Sequence, residues 1–255
     1  MPDNALNGLK VMVTRPFEQA QNLVKLIEQH GGQPVLLPML KIDPVLPDET
    51  SLHQLQQLTG NELLIFVSAN AVRYGHHYVP QAIRHELTIA AIGRGTANEL
   101  ARAGLQVNLL PDTSHDSEAL LALPQLSDVK DRHIVIVRGK GGREKLAETL
   151  RARGANVDYA EVYRRVAPEV KIDEHLSPAG IDIISITSGD ALNNLAVLAH
   201  AQQQTWVFEK PLVVFHNRIA QQAKELGFGK TVLVVSEMSD AGIVRSLVQM
   251  NKTGA

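Results

Sequence analysis

Residues 11–35, VMVTRPFEQAQNLVKLIEQHGGQPV, are echoed with altered letters at residues 134–157, IVIVRGKGGREKLAETLRARGANV. Each segment opens on a short β-branched run and continues with apolar residues at helical spacing. Each then reaches a glycine where a left-handed helix stop is wanted. That pattern describes one strand and one helix. Superposed, Arg15 falls on Arg138 and Gly31 on Gly154, both pairs 123 residues apart.

The echo continues outward from this unit. In LIFVSANAVRY (residues 64–74), Ser68-Ala69-Asn70-Ala71 ends an apolar strand; it falls on Ser188-Gly189-Asp190-Ala191 of IISITSGDALN, 120 residues later. TIAAIGRGTANELARAGL, from Thr88, falls on PLVVFHNRIAQQAKELGF, from Pro211, matching Ala97 with Ala220 and Gly104 with Gly227. Finally VNLLPDTSHDSEALLAL resembles VLVVSEMSDAGIVRSLV, with Ser117-Glu118-Ala119 over Ser239-Asp240-Ala241. Four units in one order at nearly constant offset imply an internal duplication. Strands alternating with helices in both halves place the chain in the α/β class, as two similar parallel-sheet, flavodoxin-like lobes. PVLLPMLKIDP (residues 34–44) and VDYAEVYRRVAP (residues 157–168) both end in proline and read as extended connectors, a two-stranded linker with a cleft beside it.

The composition fits two lobes. At 255 residues the chain has room for two cores of about 100–130 residues each. Hydrophobic residues make up 44% and charged residues 20%, with no disordered signature. A net charge of −2 gives no field that would draw the whole molecule to nucleic acid or membrane. The absence of cysteine removes disulfides, thiolate chemistry and Cys-type metal sites. The N-terminal MPDNALNGLK lacks an apolar signal core and no apolar run reaches membrane-spanning length, so a soluble, cytoplasmic protein is expected.

In open parallel sheets, ligands gather outside the carboxyl ends of the strands. Five strand-exit turns lie there: Ser68-Ala69-Asn70, Gly93-Arg94-Gly95-Thr96, Ser114 to Ser117, Thr187-Ser188-Gly189-Asp190 and Ser236 to Ser239. Their small side chains let the backbone N–H groups of a helix start approach an anion. The same residues are also ordinary N-caps, and capping accounts for any one turn alone. Arg15 and Arg138 follow the first strand of each half, with Lys140 beside the second in a glycine-rich loop; they would pair with carboxylates or form structural salt bridges. Tyr163 stands on the second connector, as a hydrogen-bond donor or as a packing aromatic; its counterpart by offset is Leu40. GRGTA and GKGGREK miss the spacings of nucleotide loops, and there is no GxSxG, HExxH or acidic partner for His76-His77, so no metal or cofactor is expected.

The ordered set VTRP, FVSANAV, AIGRGTANELARAG, VRGKGGREKLAETLRARGANVDYAEVYRR and ITSGDALNNL resembles the uroporphyrinogen-III synthase family over almost the full length. The resemblance implies swapped first strand–helix units, with residues 1–35 and 169–255 in one lobe and 36–168 in the other. It implies a cofactor-free lyase of porphyrin and heme biosynthesis, a hydro-lyase acting on hydroxymethylbilane, a linear tetrapyrrole with eight carboxylates. Water is lost, an azafulvene forms, and the terminal ring is inverted through a spiro intermediate before closure. It further implies a monomer with a small-molecule substrate and no nucleic-acid or membrane partner, the upstream bilane-forming enzyme being its candidate protein partner.

By this resemblance Tyr163 is the candidate acid or hydrogen-bond donor. A phenol is a weak general acid, so orientation is expected to matter more than proton transfer. Ser68, Ala69, Asn70, Gly93, Thr96, Ser117, Thr187, Ser188 and Gly189 fall at ligand-facing turns, with Arg15, Arg138 and Lys140 beside them. Either Ser236 or Ser239 serves the last turn, and His216 and Arg218 sit at the second lobe's third turn. The alternative, a non-catalytic two-lobe binding protein for a polycarboxylate, would present the same sequence features.

Overall fold

The computed structural model describes residues 4–59, 62–112, 116–142, 144–172, 176 and 178–253; Ser114 lies outside the described residues. In chain order the first elements are β1 (Lys10–Val13), α1 (Phe17–Gln29), β2 (Gln33–Leu36), β3 (Lys41–Pro44), α2 (Glu49–Gln56), β4 (Leu63–Phe66) and α3 (Ala69–Gly75). Next come β5 (Thr88–Ala91), α4 (Arg94–Arg102), α5 (Ser117–Leu121), β6 (His133–Gly139), α6 (Lys145–Ala152) and β7 (Asn156–Val166). The last are β8 (Ile183–Ile186), α7 (Gly189–Ala201), β9 (Leu212–Val214), α8 (Asn217–Glu225), β10 (Val232–Val234) and α9 (Asp240–Thr253). They divide into two compact units, residues 1–41 with 166–255, and residues 42–165.

The first unit is a five-stranded sheet in the order β10-β9-β8-β1-β2, with every adjacent pair parallel. A parallel sheet is covered on both faces, so its strands are apolar on both. Met12, Ile184 and Leu212 point into one cluster with α7 and α8, while Val11, Val13, Ile183 and Val213 point into another with α1 and α9. The period-2 alternation of strand side chains divides them in this way. Leu37 and Met39, just beyond β2, are buried in the first of these clusters and their amides bond the carbonyls of Val13 and Thr14. The chain therefore stays with this unit through Lys41.

The second unit carries the order β3-β7-β6-β4-β5. β7-β6, β6-β4 and β4-β5 are parallel, and a parallel bridge joins Ala90 of β5 to Leu109. Read from β2 and from β7, the two sheets run β2-β1-β8-β9-β10 and β7-β6-β4-β5 followed by the bridge at Leu109. Both are the doubly wound arrangement in which ligands sit at the carboxyl ends of the strands. The glycines at aligned helix ends adopt left-handed backbone, with φ of +77° at Gly31, +88° at Gly154, +73° at Gly104 and +89° at Gly227. A side chain at any of them would strain the backbone, which is why glycine marks these stops. Among the described residues no helix is long and apolar enough to cross a membrane.

Candidate active site

At the carboxyl end of β6 the pairing with β7 slips by one residue. Arg138 lies opposite Glu161 and Gly139 opposite Tyr163, which leaves Val162 as the extra residue of a β-bulge. Upstream, Val157 and Tyr159 face one core cluster and Ala160 and Val162 the other. Strict alternation would return Tyr163 to the side of Tyr159. The bulge turns it instead onto the side of Val162, across the end of β6. The ring lies so close over Gly139 that a Cβ there would come within 2.5 Å of its Cε2 and Cζ. Tyr163 is 1% exposed, yet it forms part of the wall of a pocket of about 350 Å³.

The Tyr163 hydroxyl lies 3.0 Å from Ser68 Oγ, and Ser68 Oγ accepts a bond of 3.0 Å from the amide of Ala71. Ser68 is thus the N-cap of α3 and the phenol's neighbour at once. Because Ser68 Oγ already accepts a helix amide, its own proton is available for the phenol oxygen, and in that arrangement the phenol proton is left for a ligand. Bonds in such a chain polarise one another. The Arg165 guanidinium stands 5.8 Å from the centroid of the Tyr163 ring and lines the same pocket.

Arg138 forms the neighbouring wall. Its side chain is 6% exposed and donates to Glu144 Oε1 at 2.9 Å, while its guanidinium lies over the Tyr159 ring at 4.4 Å. The Tyr159 hydroxyl donates to the other carboxylate oxygen, Glu144 Oε2. Glu144 is held below the usual carboxylate range, first by that phenol and then by Arg138, and burial together with Glu144 pushes the Tyr159 phenol up. The glycine-rich loop wraps the guanidinium tightly: a Cβ on Gly142 would sit 2.5 Å from Arg138 Nη2. Lys140 is exposed, and its backbone amide bonds the carbonyl of Tyr163.

In the first unit Arg15 projects beyond β1, donates to Thr187 Oγ1 at 3.2 Å and pairs with Asp240. Asp240 also accepts from Asn22, and the Arg15 guanidinium lies 5.0 Å from the Phe215 ring centroid. Ser188 caps α7 by accepting from Ala191, and Gly189 leaves room for Gln222, whose amide donates to its carbonyl. At the last turn Ser239 does the capping, accepting from Gly242 and donating to Glu237, while Ser236 is exposed. His216 and Arg218 are exposed at the start of α8, and the His216 side chain makes no capping bond.

The second unit therefore brings Ser68, Ser117, Arg138 and Tyr163 together at one strand end, with Ser117, Arg138 and Tyr163 lining the pocket. Ala69 and Asn70 are half-buried in the first turn of α3. Gly93 is buried as the N-cap of α4, and Thr96, 4% exposed, is enclosed in that helix's first turn. At α5 the N-cap is Asp116, accepting from Ala119, so an acidic group already occupies the helix start beside Ser117. Glu144, Tyr159, Arg165 and Asp240 were not singled out from sequence. Asp240 owes its role to a pairing 225 residues away, with Arg15, which no local pattern carries; Glu144 lies 6 residues from Arg138 and 15 from Tyr159, in the connection between β6 and β7. Among the described residues no group of three or more His, Cys, Asp or Glu is placed to hold a metal ion.

A doubly wound sheet with polar strand exits and a phenol at a bulge defines a small-molecule site of the α/β kind. Comparison with known proteins makes the assignment specific. The family model described as Uroporphyrinogen-III synthase HemD matches residues 21–243. The chain is 30% identical over 247 residues to the uroporphyrinogen-III synthase of Salmonella typhimurium, covering 94% of this chain and all of that protein. It is 29% identical to the Escherichia coli enzyme of the same name, again over 94% of this chain and all of the relative. Among solved structures, a mutant uroporphyrinogen III synthase from Thermus thermophilus superposes with a TM-score of 0.64 at 16% identity, covering 97% of this chain and 100% of that one. The Helicobacter pylori uroporphyrinogen-III synthetase gives 0.61 at 14% identity, covering 95% and 99%. The chain belongs to the uroporphyrinogen-III synthase family, lyase-type enzymes of tetrapyrrole biosynthesis.

Proposed function

We infer that the chain closes hydroxymethylbilane to uroporphyrinogen III, with loss of water and inversion of the terminal pyrrole ring through a spiro intermediate. The observation that carries the reading is Tyr163, turned by the bulge onto the end of β6, walled into a pocket, and bonded to the cap serine of α3. With Ser68 donating to it, the phenol offers its own proton to the departing hydroxyl as the C–O bond breaks. The α3 amide behind Ser68 strengthens that donation. The remaining task is to hold a floppy chain in the geometry that inverts the last ring, a matter of positioning rather than of strong acid catalysis. Arg138, Ser117 and Lys140 in the second unit, and Thr187, Ser188, Ser239 and Arg218 in the first, are the proposed contacts for carboxylates, while Arg15, paired with Asp240, holds its turn in place.

The duplication belongs to the same reading. The matching strand orders, the four left-handed glycines, and the paired caps Ser68 and Ser188 support descent of the two units from one βα ancestor. The first strand–helix unit of each half pairs with strands of the other half, β1 with β8 and β6 with β4, as a swap requires.

Tyr163→Phe tests the assignment with little change of shape. Turnover of hydroxymethylbilane is expected to fall about 10²-fold while the unfolding midpoint stays close to that of the parent chain. Unchanged turnover would remove Tyr163 from the mechanism.

A further inference from the structure

We propose that Arg138 and Tyr159 form a seat for one substrate carboxylate, and that Glu144 occupies this seat until the substrate displaces it. The proposal rests on the reading that the natural ligand is a polycarboxylate.

The seat has two donors of different kinds. Arg138 supplies a guanidinium, on a side chain that is 6% exposed, packed between the Tyr159 ring and the backbone of Gly142. Tyr159 supplies a hydroxyl aimed at the same carboxylate. Glu144 receives one bond from each on its two oxygens, so the seat is filled in the manner in which a ligand carboxylate would fill it.

The burial of the pair is one-sided. The Arg138 side chain is 6% exposed, whereas that of Glu144 is 49% exposed. Arg138 and Tyr159 both line the pocket, together with Gly141 and Gly142. The arginine is therefore the fixed partner, and the glutamate reaches in from solvent at the end of a glycine-rich turn whose Gly141 has a φ of +63°. An enclosed guanidinium gains from a counter-charge, so Glu144 fills the seat for most of the time when no other carboxylate does. Exchange of one carboxylate for another keeps the charge and both hydrogen bonds, and the released Glu144 passes into water. The other charged groups lining the pocket are Asp116, which caps α5, and Arg165.

An internal occupant lowers apparent affinity in proportion to the fraction of time the seat is empty. Uroporphyrin, the oxidised and unreactive form of an octacarboxylate product, serves as the probe, its binding read by absorbance titration against the full chain. Glu144→Gln is expected to bind it about tenfold more tightly than the parent chain if the seat is taken by Glu144 for nine-tenths of the time. Its unfolding midpoint should fall without ligand and recover when the porphyrin is added. A purely structural glutamate would not produce that opposition of stability and affinity. In an Arg138→Gln background the same change should give no tightening. Glu144→Asp, too short to reach both donors, provides a second variant with the same expected direction. Equal or weaker binding by both Glu144 variants, or no binding by any chain, would overturn the seat. Because binding is read apart from turnover, failure of the parent chain to cyclise the bilane would count against the proposed activity alone.

Discussion

Arg15 and Arg138 occupy matching places in the two units, each at the carboxyl end of the first strand of its half, β1 or β6, and they are held in opposite ways. Arg15 and its partner Asp240 are equally enclosed, at 15% exposure each, and Asn22, Thr187 and Phe215 close around them. Arg138 is enclosed but its partner is half in water, and the space beside it is a pocket. The same residue in the same position thus makes a lock in one unit and a seat in the other. The difference lies in what surrounds the arginine. At the offset of 123 residues Gly139 stands opposite Pro16, and Tyr163 opposite Leu40. At these matching places the second unit has a glycine over which an aromatic ring lies, where the first has a proline and a leucine.

The largest way to break this asymmetry is Gly139→Ala. The added Cβ would meet the Tyr163 ring at 2.5 Å, so the phenol must move off Ser68. Turnover is expected to fall about 10²-fold, as a misplacement near 1 Å can cost. Activity within a factor of about two would show that the ring position is not what matters.

The lock should be worth more to stability than the seat. Asp240→Asn leaves Arg15 enclosed without a counter-charge and is expected to cost about 2–3 kcal/mol in urea unfolding, somewhat below the range for fully buried pairs. Glu144→Gln acts on a half-exposed carboxylate and should cost about 1 kcal/mol or less. Equal losses would erase the comparison.

The smallest effect is one of pH. Glu144 has its folded value lowered below the ordinary 4.5 by Tyr159 and Arg138. Its contribution to stability is complete above the unfolded value and disappears as pH falls through the lower folded value. A carboxyl resonance of Glu144 titrating below 4.5 is expected in NMR, and a midpoint at or above 4.5 would contradict the bracing.

Much of the fold was legible because its cues are local. Alternation in the strands, helical spacing in α1 and α6, and glycine at Gly31, Gly104, Gly154 and Gly227 are each decided within a few residues. Among the site residues, Tyr163 stood out through the family pattern EVYR, and Arg15 and Arg138 through the repeat. The bulge at Val162 carries no glycine or proline to announce it, so the turning of Tyr163 onto Ser68 was invisible. Asp116 and Thr96 show the same limit from the other side. Either residue could be read as a ligand group, but Asp116 is a cap, bonded to an amide three residues on, and Thr96 is enclosed in its helix turn, an outcome that depends on packing between elements.

The central claim is that the chain directs ring closure with inversion. Purified protein given hydroxymethylbilane, with the product oxidised and its isomers separated by chromatography, tests that claim most directly. The type III isomer in excess over the type I background is the expected result. Type I product alone, or tight binding of the tetrapyrrole with no turnover, would contradict the account.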